Sequence, residues 1–211
     1  MTGKVSMIRL IALLFLLSSC GNLPIAYISN FSSVNNVVFG FPEYEITQDI
    51  FDNYENSFMK IRLGRGPHAI LILAYVDGDI YEWVGADDVS IFTRKGRIIK
   101  TIGLPHNFEL IKYRDEVLPS LKFSYELVNL YNPDLYSAMM KESFASKKAS
   151  IKKLEKTVTV TRIKEKFNID QIGWRGANYY YQNLETLEIE RAEQNIHPKL
   201  PTVRIEYYLK Y

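Results

Sequence analysis

Histidines, paired carboxylates and clustered aromatic rings are the side chains of this 211-residue chain best suited to chemistry. His68, His106 and His197 are its only histidines, far apart in sequence, with no H-x-x-x-H pair and a single cysteine, so spacing supports no metal site. Gly64-Arg65-Gly66-Pro67 has the glycine density of a phosphate-cradling loop. It lacks the Gly-Lys-Ser/Thr ending, however, and Pro67 has no N–H to donate, so it reads as a turn between two strands. Asp87-Asp88, and Asp77 with Asp79, are carboxylate pairs of the kind that flank a glycosidic bond. Both lie at expected hairpin ends, where aspartate is favoured for turn geometry alone. No catalytic residue is assigned on these grounds. Tyr81 with Trp83, and Trp174 with Tyr179-Tyr180-Tyr181, place rings on both faces of their expected strands. Rings left facing a groove stack on the apolar faces of sugars. Trp83, Trp174, Tyr179, Tyr180 and Tyr181 are therefore the candidate glycan-binding residues, against the plainer reading in which they pack a core.

The remaining reactive group is Cys20. Lys4 and Arg9 precede an apolar run, Leu10 to Leu17, and the run ends in Ser18-Ser19-Cys20-Gly21. As a helix the run is about 12 Å long, against the roughly 30 Å of a bilayer core, so it suits a cleaved secretory signal and not an anchor. Small serines leading directly into the only cysteine resemble the bacterial lipobox. Residues 1–19 are then a signal peptide, Cys20 becomes the lipid-modified N-terminus, and residues 20–26 are a tether. Three acyl chains on Cys20 would anchor it permanently, since two already hold stably. Gly21 and Asn22 carry no aspartate of the kind that retains lipoproteins in the inner membrane, which points to the outer membrane. The covalent lipid is the only prosthetic group expected.

Removal of the leader takes Lys4 and Arg9 with it and leaves 24 basic residues against 24 acidic ones. A neutral chain has no net field to steer nucleic acid, which is excluded as a partner. With its one cysteine consumed, the chain forms no internal disulfide and depends on its core. A composition of 47% apolar residues, with 15 tyrosines and 11 phenylalanines, can supply one.

The elements that must position these residues read mainly as strands. Ile28, Phe31, Val34 and Val37-Val38 suit one short N-terminal helix ending at Gly40-Phe41-Pro42. Met59 to Leu63, His68 to Val76, Ile80 to Val84, Val89 to Phe92 and Arg97 to Ile102 read as consecutive antiparallel strands. Asp77-Gly78 and Lys95-Gly96 are their hairpin tips. Leu135-Tyr136, Met139-Met140 and Phe144 have helical spacing after Asn132-Pro133-Asp134, whereas Lys156 to Lys166 is rich in Val and Thr and favours a strand. Strands return at Asn178 to Gln182, at Leu187 and Ile189 between glutamates, and at Val203, Ile205, Tyr207 and Leu209 on one face. The expected architecture is a single domain over 27–211, an antiparallel meander that closes into a β-barrel and so removes its exposed edges.

From about residue 50 to the C-terminus the chain resembles the group 4 capsule polysaccharide lipoproteins of the YjbF/GfcB type. The likeness rests on Gly64-Arg65-Gly66-Pro67 before an apolar strand, Trp83 with Ala86-Asp87, the run from Gly96-Arg97 to Leu104-Pro105, Glu165, Asn178-Tyr179-Tyr180, and Gln194 with His197-Pro198. Asn53-Tyr54-Glu55-Asn56-Ser57 departs from the family pattern, and Tyr180-Tyr181 stands where the family tends to have tryptophan. The resemblance implies a β-barrel-like domain with 135–148 extended, and an outer-membrane lipoprotein facing the periplasm. It implies a role in making or exporting an extracellular polysaccharide beside partner periplasmic and outer-membrane proteins, and no established catalytic residue, and the leading expectation is a non-enzymatic accessory lipoprotein. The rival expectations are a periplasmic enzyme acting on that glycan, with Asp87 or Glu165 as its carboxylates, and an adaptor that docks an outer-membrane partner without touching sugar.

Overall fold

The computed structural model describes residues 41–86, 88–112 and 123–210. Cys20, the leader before it, the tether over 20–26, the helix expected over 28–38 and Asp87 lie outside the described residues. Among the described residues there is one short helix, α1 (Gln48–Asn53), and twelve strands. These are β1 (Phe58–Leu63), β2 (His68–Asp77), β3 (Ile80–Val84), β4 (Ser90–Arg94), β5 (Arg97–Ile102), β6 (Phe108–Lys112), β7 (Phe123–Leu130), β8 (Leu135–Lys153), β9 (Lys156–Ile169), β10 (Trp174–Asn183), β11 (Ile189–Gln194) and β12 (Val203–Tyr208). Each strand pairs with its neighbours in sequence, and β1 pairs with β12, so the antiparallel meander closes into a barrel. Closure gives every one of the twelve strands a neighbour on each side.

The two faces of the wall follow from the period of two along each strand. Met59 and Ile61 of β1, Val203, Ile205 and Tyr207 of β12, and Trp83 of β3 point into the core. The residues between them point outward: Lys60 pairs with Glu206 at 2.8 Å and Arg62 with Glu43 at 3.0 Å. Thr47 caps α1 by accepting a hydrogen bond from the Ile50 amide, and the helix lays Ile50 and Phe51 over Phe58 and Tyr208 in a smaller outer cluster.

Residues 135–148 are extended, as the family resemblance implies, and form part of the 19-residue β8. Their helical spacing arises because β8 is apolar on both faces: Leu135 and Met139 pack with the core, while Tyr136 and Met140 alternate with them on the outer face. The β8–β9 hairpin ends at Leu154, which packs against the Phe58 and Tyr208 cluster. Leu187, expected in a strand, lies instead in the β10–β11 turn with φ of 62° and is largely exposed.

Both expected hairpin tips are present, and they differ in what surrounds them. Gly78 has φ of +58° and open space beside it, so Gly78→Val is expected to cost about 1 kcal/mol from backbone strain alone. Gly96 has φ of +73°, and a Cβ there would fall 2.4 Å from Ile189 Cβ on β11. Gly96→Val is expected to cost about 2–4 kcal/mol, the strain plus overpacking, as read from urea denaturation midpoints. Equal losses at the two sites would contradict the contact between the β4–β5 tip and β11.

Candidate functional site

That contact shapes the barrel interior. The β4–β5 tip leans across one end of the barrel and is fixed there by side chains from the opposite wall. Gln194 on β11 accepts from the Ile98 amide at 2.9 Å and donates to the Gly96 carbonyl at 3.0 Å, standing in for a neighbouring strand. The Tyr207 hydroxyl donates to the same carbonyl at 3.1 Å. Gly96 admits this approach because it has no side chain to meet Ile189.

The lean carries Arg97, the first residue of β5, into a buried polar cluster. Glu126 shares the inward face of β7 with Val128 and Leu130, and Lys141 shares that of β8 with Met139. Glu165 lies on β9 two residues before Phe167, and Asn178 and Tyr180 on β10 face the same way. The Arg97 guanidinium bridges the two carboxylates, pairing with Glu165 and, at 3.3 Å, with Glu126. Lys141 pairs with Glu126 and lies 3.4 Å from Glu165. Asn178 donates to Glu165 at 3.2 Å, and the Tyr180 hydroxyl lies 3.5 Å from Glu165 and 3.4 Å from Gln194. Two cations thus face two anions, and the side chains of Glu126, Lys141 and Glu165 are almost wholly buried.

Burial pushes the Glu165 carboxyl up, but Arg97 and Lys141 beside it, with the Asn178 amide, more than offset this and hold it below the usual carboxylate range. Burial raises the Tyr180 hydroxyl far above its ordinary value, with Glu165 and Glu126 adding to the effect against Arg97, so it stays protonated and donates. Burial and the like charge of Arg97 depress Lys141, against the pull of its two glutamates. A glycosidase acid needs the opposite arrangement, a carboxyl raised enough to keep its proton near neutrality. Glu165 is instead held ionised, with its oxygens paired to Arg97, Lys141 and Asn178. Beside the cluster, a cleft of about 210 Å³ opens between Asp79, Arg94 and Lys95 at the rim and Ile163, Tyr180 and Ile189 within.

The five aromatic candidates do not come together. Trp83 is fully buried and donates from Nε1 to the Thr93 hydroxyl at 2.8 Å, and Tyr180 belongs to the interior cluster. Trp174 turns inward edge-on to Phe167, with ring centroids 4.6 Å apart. Even-numbered positions of β10 face the core, so only Tyr179 and Tyr181 reach the outer surface. There Arg162 lies 4.2 Å over the Tyr179 ring, and Arg191 lies 5.6 Å over that of Tyr181. Of the five candidate rings, three therefore pack inside the barrel and the other two carry cations on its outer surface.

Residues singled out for other reasons do converge. Gly96-Arg97, Glu165, Asn178 with Tyr180, and Gln194 carry the family resemblance and meet in this one cluster. Arg97, Glu126 and Lys141 drew no attention as chemical groups. The usable signal was a charge on an inward register between apolar neighbours, as Glu126 is before Val128 and Leu130.

A model of the family described as "Group 4 capsule polysaccharide lipoprotein gfcB, YjbF" matches residues 31–208. The chain belongs to the YjbF family of group 4 capsule polysaccharide lipoproteins. It is 28% identical over 71 residues to an uncharacterised lipoprotein, YjbF, of Escherichia coli K12, a match spanning 34% of each chain. The crystal structure of the hypothetical lipoprotein YmcC from the same organism superposes with a TM-score of 0.68 at 14% identity, covering 90% of this chain and 98% of that one. At that identity the likeness concerns the fold alone. The YjbF-family residues gathered inside the barrel thus hold the β4–β5 tip in place.

At the end of the barrel that holds the β5–β6 and β11–β12 loops, His106 and His197 stack with ring centroids 4.9 Å apart, a meeting their sequence separation concealed. Burial, with His106 and Lys199 adding to it, lowers the His197 imidazole to about 4. The folded value lies below the ordinary one near 6.5, so the unfolded chain takes the proton first as pH falls. His197 therefore contributes its full stability above about pH 6.5 and loses it between 6.5 and 4. His197→Gln is expected to flatten the fall in urea midpoint between pH 7 and pH 4.5 by on the order of 2 kcal/mol. An unchanged profile would show that His197 is not the group being charged.

Proposed function

We propose that this chain is anchored through lipidated Cys20 to the periplasmic face of the outer membrane, where it acts as a non-enzymatic accessory factor in the assembly or export of a capsule exopolysaccharide. The observation that carries the reading is the family match over residues 31–208, behind a leader that ends in Ser18-Ser19-Cys20. The interior cluster supports the non-enzymatic part, because both of its carboxylates are paired with Arg97 and Lys141 and Glu165 is held below the usual carboxylate range. The reading includes direct contact with the polymer and work beside other export proteins. A second reading, an adaptor for an outer-membrane protein, is favoured by exposed Ile111, Tyr125 and Tyr136 on neighbouring strands β6, β7 and β8.

Deleting the gene tests the role: surface polymer should be lost while its synthesis continues. Cys20→Ala should reproduce that loss with the chain still exported, and mass spectrometry of the mature N-terminus should find diacylglycerol and an acyl chain on Cys20. An unmodified Cys20, or normal surface polymer in the deletion strain, would overturn the reading.

A further inference from the structure

The strands that send the polar cluster inward send cations outward. On β9, Ile163, Glu165 and Phe167 face the core, so Arg162, Lys164 and Lys166 face outward, about 6.6–7 Å apart along one strand. Arg175 on β10 and Arg191 on β11 widen this row. Aromatic rings lie beneath it. Arg162 and Lys164 sit 4.2 and 5.8 Å from the Tyr179 centroid, Lys166 lies 5.0 Å from that of Phe144, and Arg191 lies 5.6 Å from that of Tyr181.

The carboxylates on this face gather mostly at its β11 side. Glu142 stands opposite Lys166 in the register, Glu193 opposite Tyr179 and Glu206 of β12 opposite Arg191, and Glu190 precedes Arg191 on β11. Among the described residues, only Arg191 of these five cations has a carboxylate within 4.0 Å, Glu193 at 3.3 Å. Arg162 also keeps a buried Nε with no hydrogen-bond partner. The chain after its leader has as many acids as bases, so the β9–β10 part of this face, with Arg162, Lys164, Lys166 and Arg175 against Glu142 and Glu193, is a segregation of charge. A ring quadrupole stabilises a cation without neutralising it, and leaves its outward N–H groups free for an anion. The same geometry covers the ring faces that a neutral sugar would need.

We propose that the outer face of β9, β10 and β11 binds the acidic groups of an anionic polysaccharide, recognising the polymer by its charge. The proposal rests on the exopolysaccharide reading above and adds the class of polymer and the surface that holds it.

The test uses the purified mature chain in affinity electrophoresis with alginate, a polyuronate, and with dextran of matched length. Alginate should retard the protein and dextran should not, and retention should weaken at least tenfold between 50 and 300 mM NaCl. Lys164→Glu with Lys166→Glu should lower alginate affinity at least tenfold with little change in Tm. Lys95→Glu with Lys199→Glu, the same change in charge at exposed turn and loop positions, should leave it near the original value. Equal retention by dextran, equal loss in both double variants, or no retention by alginate would overturn the proposal. Binding confined to phosphatidylglycerol vesicles would also overturn it and make the face a membrane-docking surface. In a deletion strain, full recovery of an acidic surface polymer by the Lys164→Glu, Lys166→Glu chain would refute this surface and leave the proposed function standing. Normal polymer in the deletion strain itself would refute that function.

Discussion

Arg97→Met is expected to destabilise the protein by about 3–5 kcal/mol, the cost of leaving buried charge uncompensated. Glu126 and Glu165 are each about 95% or more buried and share two cations, so removing one leaves Lys141 facing both. Arg97→Lys should recover only part of the loss, because a point charge cannot bridge two carboxylates as a planar guanidinium does. Adding Glu165→Met to Arg97→Met restores neutrality with the Lys141–Glu126 pair and should recover most of the stability. Urea denaturation of the wild type, Arg97→Met, Glu165→Met and the double variant measures the coupling directly. The pH dependence gives a second check. Glu165 is held below the ordinary carboxylate range, so its contribution is full above about pH 4.3 and disappears as pH falls through the depressed value. In Arg97→Met the Glu165 carboxyl is less depressed, so its share of the acid-induced loss should shrink. A loss under about 1 kcal/mol with an unchanged acid profile would mean that the cluster does not hold the barrel together.

The second large effect separates rings that build the barrel from rings that reach its surface. Trp83→Ala should cost about 3–5 kcal/mol, since its ring is wholly buried against Tyr207, 5.7 Å away, and its indole N–H is bonded to Thr93. Tyr179→Ala and Tyr181→Ala should each cost no more than about 1 kcal/mol, the scale of an exposed cation–π contact. Thermal and urea unfolding of the three variants decides this. A mild Trp83→Ala, or an unfolded Tyr179→Ala, would reverse the assignment of the wall's two faces.

The strands from β1 to β5 were legible because each carries its own signal. Met59, Ile61 and Leu63 alternate with charged partners, and Lys95-Gly96 supplies the positive φ of a tight turn. Residues 135–153 gave the opposite lesson: apolar groups on both faces of β8 mimic a helical period, and pairing with β7 and β9 overrides it. The direction of the aromatic candidates was hidden for a related reason. Composition shows that rings are plentiful, but inward or outward direction depends on register, and a shift of one residue exchanges the faces.

The sequence alone thus determined the strand-rich architecture, the hairpin tips, the near balance of acids and bases and the family likeness, all of which arise from neighbouring residues and overall composition. Only the tertiary structure decided what the polar residues do. Arg97 reaches Glu165 across 68 residues of chain, and Gln194 reaches Gly96 across 98. Those meetings depend on closure of β1 onto β12 and on the inward lean of the β4–β5 tip. The stagger of a closed barrel is a property of all its strands together, and no local propensity encodes it.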